Sequence, residues 1–270
     1  MISWDSWLLA NELSIRLGFF FGVFLLMGAW ETVKPCRPLR FPRWYRWCNN
    51  IGLVFLNSVM LRLLFPIAAV GVALTMEQEG YGLLNQIELP LLLNTVITIV
   101  VLDMLIYWQH VLFHQIPLLW ALHKVHHADP DYDVTTGARF HPIEIVSSML
   151  IKMVAIVLLG PSAVGVLIFE VMLNASAMFN HSNIQLPKAV DKIVRVFFVT
   201  PDMHRVHHSQ IRQETDSNYG FALSCWDRLF STYQAQPVKG HLGMDIGLSE
   251  LSDPKLICTV KGMITLPFRR

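Results

Sequence analysis

The chain has 270 residues and a formal net charge of +1; charged residues make up 15% and hydrophobic residues 53%. Soluble domains carry roughly 25% charged residues, so this deficit excludes a disordered chain and argues against a water-facing globular enzyme. It also leaves no basic excess for nucleic acid. Composition favours one compact unit with several membrane spans. In chain order, the first candidate span is 13–31, LSIRLGFFFGVFLLMGAWE, with no small-residue cleavage site behind it; it reads as a retained span and not a signal peptide. The second, 51–76, carries Arg62 and Pro66, and Arg62 is expected to snorkel or to face a polar cavity. The third covers 89–110. The fourth and fifth fill 143–180 around a turn at Gly160-Pro161, and this hairpin either crosses or dips into the bilayer.

The segment 34–47, KPCRPLRFPRWYRW, holds Lys34, Arg37, Arg40, Arg43 and Arg46 and no acid, so the positive-inside rule makes it a cytoplasmic loop. The loop 77–88 carries Glu77, Glu79 and Glu88 without Lys or Arg and fits the opposite side. Counting spans from there delivers His110, His141, His181 and all of 181–270 to the cytoplasmic face. The expected fold is all-α: a multi-span integral membrane helical bundle with a cytoplasmic, histidine-rich helical cap. Residues 1–88 form N-terminal spans and the basic loop, 89–240 a histidine-box domain with the hairpin 143–180, and 241–270 a tail. The stretch 250–270 fits either an interfacial segment or a packed terminal helix. Cys36, Cys48, Cys225 and Cys258 form no CxxC pair and read as small buried or interfacial thiols.

Eight of the eleven histidines fall in three runs. His110 and His114 form HxxxH; His123, His126 and His127 form HxxHH; His204, His207 and His208 form a second HxxHH. Residues three and four apart share a helix face, so each box points several imidazoles the same way. Burying so many imidazoles without a common partner is costly, and neutral imidazole suits zinc, copper, iron and nickel. The set is too large for one metal with an open position and fits two. His141, in GARFHPIE, and His181, in FNHSN, fall at the same face and complete ten potential ligands. His241, isolated in KGHLGMD, reads as a solvent histidine.

The boxes HVLFH, HKVHH and HRVHH, in this order and spacing, resemble the fatty acid hydroxylase superfamily, which includes sterol desaturases, sterol methyl oxidases and alkylglycerol monooxygenases. The likeness extends to DMLIYWQH, TTGARFHPIE and SNYGFALSCWDRLFSTY, and so runs from about 100 to 235. It implies an integral membrane enzyme with two iron ions, which zinc can replace in purified protein, held by His110, His114, His123, His126, His127, His141, His181, His204, His207 and His208. It departs from common members at Val111, where many have Arg, and at Ser231, where Gly is usual. Some fatty acyl hydroxylases also have a histidine pair where this chain has His181 alone, between Asn180 and Asn183.

An unactivated C–H bond yields only to a redox metal, O2 and electrons. The chain shows no haem motif, GxGxxG or iron–sulfur cysteine run, so the reading requires a separate donor of the ferredoxin or cytochrome b5 type. It also takes a lipid substrate, such as a fatty acyl chain or sterol, entering from the bilayer. Hydroxylation is the first choice and desaturation the second. Asp103, Arg139 and Asn218 are expected to orient ligands; Asp129, Asp131, Glu144, Asp202, Asp216 and Asp227 form a wider pool. The host is a bacterial inner membrane or the endoplasmic reticulum. A metal transporter or sensor is the alternative, disfavoured because the boxes sit at one face. A zinc hydrolase is another, disfavoured because no box contains the glutamate of HExxH.

Overall fold

The computed structural model describes residues 3–269. Among them every extended element is helical, and pairing of the strand type is confined to isolated bridges at Phe198–Leu223 and Ser209–Ile246. The membrane part comprises α2 (Glu12–Val33), α3 (Arg43–Leu64), α4 (Ala69–Glu79), α5 (Leu91–Gln115), α7 (Pro142–Leu159) and α8 (Ala163–Asn180), preceded by the short α1 (Trp4–Ala10). Among the described residues five segments are long and apolar enough to cross a membrane, with α3 and α4 forming a single one. At 1.5 Å per residue, a helix of 22 residues such as α2 is about 33 Å long, enough for a hydrocarbon core of about 30 Å. Large apolar side chains on these helices, among them Phe19, Phe55, Leu92 and Leu158, face outward and form the lipid-contacting belt.

Polar contacts fix the direction of each crossing. The α7–α8 turn marks one end: the Asn94 side chain of α5 accepts from Ser162 N–H at 2.9 Å, and Glu77 of α4 accepts from Ala163 N–H at 3.0 Å. Gly82 (φ +96°) and Gly160 (φ +60°) meet there, and a Cβ on Gly82 would lie 2.4 Å from the Gly160 Cα. At the other end, Glu31 of α2 accepts from Val134 N–H and Asn183 N–H, and Asn57 of α3 donates to the Phe140 carbonyl. Thus α2, α5 and α8 run toward one layer, α3–α4 and α7 run away from it, and all present an end there. That layer holds α6 (Pro117–His127), the amphipathic α9 (Lys188–Phe197), α10 (Pro201–His207), α11 (Arg212–Thr215) and α12 (Cys225–Leu229).

The structure changes two expectations. The candidate span 51–76 is not one continuous helix: it is broken between Leu64 and Ala69, because Pro66 lacks an N–H and disfavours helical geometry at Phe65 (φ −124°, ψ 81°). The basic segment is not a free loop: α3 begins at Arg43, and Arg46 is fully buried. Its guanidinium grips both Asp129 oxygens, at 2.9 and 2.7 Å, and also contacts Asp133. Arg37 donates to the carbonyls of His241 and Met244. These charges therefore tie the N-terminal half to the histidine layer. The tail packs as well: Ile257, Cys258, Met263 and Leu266 form a core with Leu53, Val125 and Ala128.

Candidate metal centre

Local rules place each histidine. His110 and His114 occupy the last turns of α5, four residues apart and on one face. Ile116 is extended and Pro117 occupies the first helical position, so α6 starts afresh and carries His123, His126 and His127 in its last turns. The Thr200 hydroxyl caps α10 by accepting from Met203 N–H, and Pro201 follows at the first position. That helix carries His204 and His207, and His208 is its C-terminal cap. His181 sits at the C-terminal cap of α8.

Nine of the ten predicted ligands converge in two groups, each with one ring nitrogen per residue within 4.8 Å of the others. The first contains His110, His114, His123, His127 and His207; the second contains His126, His181, His204 and His208. In the second, His181 Nε2 lies 3.1 Å from His126 Nε2, 3.0 Å from His204 Nε2 and 3.3 Å from His208 Nε2. His181 Nδ1–H donates to the Ala177 carbonyl at 2.8 Å, which leaves a lone pair on Nε2. One lone pair cannot take three N–H donors. Nitrogens that each stand about 2.0–2.1 Å from one ion are about 3.0–3.4 Å apart, so the separations fit a shared cation.

The first group fits the same test. His110 Nδ1–H donates to the Tyr219 carbonyl and His207 Nδ1–H to the Ser217 carbonyl, both at 2.8 Å. His123 Nδ1–H donates to Glu144 Oε1 at 2.7 Å, and His114 Nδ1 lies 3.3 Å from Asp216 Oδ1. The Nε2 atoms of these four and of His127 are buried without a hydrogen-bond partner. Each such atom costs about 1–3 kcal/mol unless something satisfies it. Burial, with help from neighbouring imidazoles, holds His126, His127, His204 and His208 well below their ordinary pKa. Burial also pushes His181 and His207 down to about 3. These six rings are therefore neutral near pH 7, the state a ligand must have.

His141 joins neither group. It is the N-cap of α7: its Nδ1 accepts from Ile143 N–H at 3.2 Å and its Nε2–H donates to the Ile264 carbonyl at 3.1 Å. His241 is not a solvent histidine; it is buried beside Arg205 and Asp202. The residues expected to orient ligands act through backbone. Asn218 (φ +51°) lies between the two carbonyls that hold His207 and His110, and its amide is tied to Met203 and Gln234. Asp103 accepts from Leu223 N–H and Trp226 Nε1–H, shaping the same loop. Arg139 donates to the Val125 and Ile257 carbonyls and so fixes the histidine-bearing end of α6.

The carboxylates that do touch rings are Glu144 and Asp216, both in the wider pool of the sequence reading. The carbonyls of Ala177, Ser217 and Tyr219 had no sequence signal, because any residue type can supply them. Gly137 is required beside them, since a Cβ there would lie 2.4 Å from the Ala177 oxygen and 3.1 Å from His181 Nδ1. A cavity of about 290 Å³ opens on the first group, lined by His110 and His123 and by apolar side chains including Phe20, Ile106, Phe113 and Phe221.

The family profile described as fatty acid hydroxylase matches residues 95–232. Alkylglycerol monooxygenase of Homo sapiens is 28% identical over 143 residues, 51% of this chain and 30% of the human protein. Ornithine lipid hydroxylase OlsE of Rhizobium tropici is 28% identical over 160 residues, 59% of this chain and 47% of that protein. Cholesterol 25-hydroxylase of Rattus norvegicus is 24% identical over 149 residues, covering 54% and 49%. The chain spans about half or less of the length of these relatives. No solved structure matches the chain significantly.

Proposed function

The chain belongs to the fatty acid hydroxylase family, and on that premise we propose that it is a membrane-bound di-iron oxygenase that hydroxylates a lipid with O2 and external electrons. The observation that carries this reading is the pair of buried histidine groups, five and four, with an apolar cavity against the larger. In this reading His110, His114, His123, His127 and His207 hold one iron, and His126, His181, His204 and His208 hold the other. His141 serves as a helix cap. Bound iron supplies the redox chemistry needed to attack an unactivated C–H bond with dioxygen.

The chain's own residues do the rest. Glu144 and the Ser217, Tyr219 and Ala177 carbonyls keep the proton on Nδ1 of their histidines, so that each Nε2 faces its ion. The apolar cavity receives a hydrocarbon chain beside His110 and His123 and keeps water from the reacting carbon. Several relatives are named as hydroxylases or monooxygenases, which supports hydroxylation over desaturation. Electrons come from a separate protein of the ferredoxin or cytochrome b5 type, docking on the histidine layer, which we place on the cytoplasmic face.

Metal analysis and Mössbauer spectroscopy on detergent-purified protein from iron-fed cells test the reading. Wild type is expected to hold about two irons per chain in a coupled signal that changes on adding O2. His126→Ala and His207→Ala each lose iron and lipid hydroxylation. Zinc that iron cannot displace, or full iron occupancy in both variants, would refute the assignment.

A further inference from the structure

The histidine centre leaves one set of charges within the membrane region unused. Arg16 of α2, Arg62 of α3, Lys152 of α7 and Glu170 of α8 line a second cavity of about 880 Å³, together with Glu12. Ionisable groups in membrane spans are expensive and mark functional sites by default. Glu170 accepts from Arg16 Nη2 at 2.5 Å and pairs with Lys152, while Arg16 Nε also donates to Glu12 at 2.8 Å. Two cations, Arg16 and Lys152, thus share the two carboxylates, Glu12 and Glu170. Arg62 makes no ion pair with any described residue and stands beside the outward-facing Leu63 and Leu64. One positive charge is left uncompensated at the wall of a cavity bounded by apolar helices, where an anion is strongly attracted.

The two cavities share a wall. Leu61, Ile145, Ser148, Leu173 and Asn174 line both. Glu170 stands seven residues before Ala177, whose carbonyl holds His181, a distance of about 10 Å along α8. Lys152 stands eight residues after Glu144, the partner of His123, a distance of about 12 Å along α7. The charged cavity thus lies within the length of a lipid tail of the histidine layer, and Leu61, Ile145 and Leu173 supply apolar surface between the two.

We propose that Arg62, with Arg16 and Lys152, receives a single anionic head group, carboxylate or phosphate, of a lipid whose tail passes into the cavity beneath His110 and His123. The inference rests on the lipid-hydroxylation reading and deepens it by naming the substrate's head-group charge.

The test is equilibrium binding to wild-type protein in neutral detergent with three radiolabelled probes: palmitate, palmitoyl lysophosphatidic acid and neutral monopalmitoylglycerol. At least one anion is expected to bind about tenfold more tightly than the neutral probe, the worth of one charge-assisted hydrogen bond. Which anion prevails separates a carboxylate head from a phosphate. Arg62→Gln should abolish the preference and Arg62→Lys should retain it. Arg62 is exposed, so neither change disturbs a buried pair. Equal binding of all three probes, or an unchanged preference in Arg62→Gln, would overturn the proposal. Iron content of the same wild-type preparation reports independently on the histidine centre, so a failure of that reading is distinguishable.

Discussion

Removing the carboxylate from Glu144 should weaken iron binding at the five-histidine group by about 10–100-fold. The Glu144 oxygen accepts from His123 Nδ1–H at 2.7 Å, with both residues buried. A hydrogen bond to a charged group is worth about 1.5–3 kcal/mol, which converts to that range and agrees with the effect of losing a partner behind a metal-bound histidine. Glu144→Gln keeps an acceptor oxygen and loses only the charge, so its effect should be near tenfold, with Glu144→Ala larger. Asp216 provides the contrast. It lies 3.3 Å from His114 Nδ1, its side chain is 24% exposed, and it also accepts from Arg212. Screened pairs of that kind contribute about 0–1 kcal/mol, so Asp216→Asn should cost at most about fivefold. Competition of the iron-loaded proteins against a calibrated chelator measures all three. Wild-type affinity in Glu144→Ala, or a larger loss in Asp216→Asn than in Glu144→Ala, would refute the reasoning.

Other outcomes follow from the same contacts. Arg46→Ala strands Asp129 and Asp133 without their main counter-charge, so stability should fall by about 3–5 kcal/mol. In detergent the melting temperature should drop by about 10 °C, and a shift under about 2 °C would contradict the buried cluster. His141→Ala should keep full iron content and lose about 1 kcal/mol of stability with the helix cap, whereas loss of iron would return His141 to the ligand set. Burial holds His241 down to about 4 against its ordinary 6.5. As pH falls through that window the unfolded chain takes up the proton first, so the stability this ring permits is complete above about 6.5 and is lost toward 4. His241→Gln should flatten that part of the acid-denaturation curve, and an unchanged acid limb would refute the assignment.

Arg46 shows how far local reading extends. Its place in a tryptophan-rich basic run suggested a membrane-surface charge, yet its partners lie more than 80 residues away, at Asp129 and Asp133. Nothing in 34–47 encodes them, so the positive-inside argument used a charge that the fold consumes internally. His141 shows the opposite case. Its place at the same membrane face as the boxes put it among the ten potential ligands, whereas the fold uses its ring to cap α7.

The apolar crossings and the histidine boxes are legible along the chain because both are local patterns: about 20 apolar residues suffice for a span, and spacings of three and four put imidazoles on one helix face. How the imidazoles divide between the two groups depends on the packing of separate helices. Successive residues point about 100° apart around a helix, so His126 turns away from His123 and His127 toward His181, and His207 turns away from His204 and His208 toward His110. Each HxxHH box thereby serves both groups. The directions that complete each group come from other helices and from carbonyls across the fold, set by packing and backbone hydrogen bonds that no residue type announces.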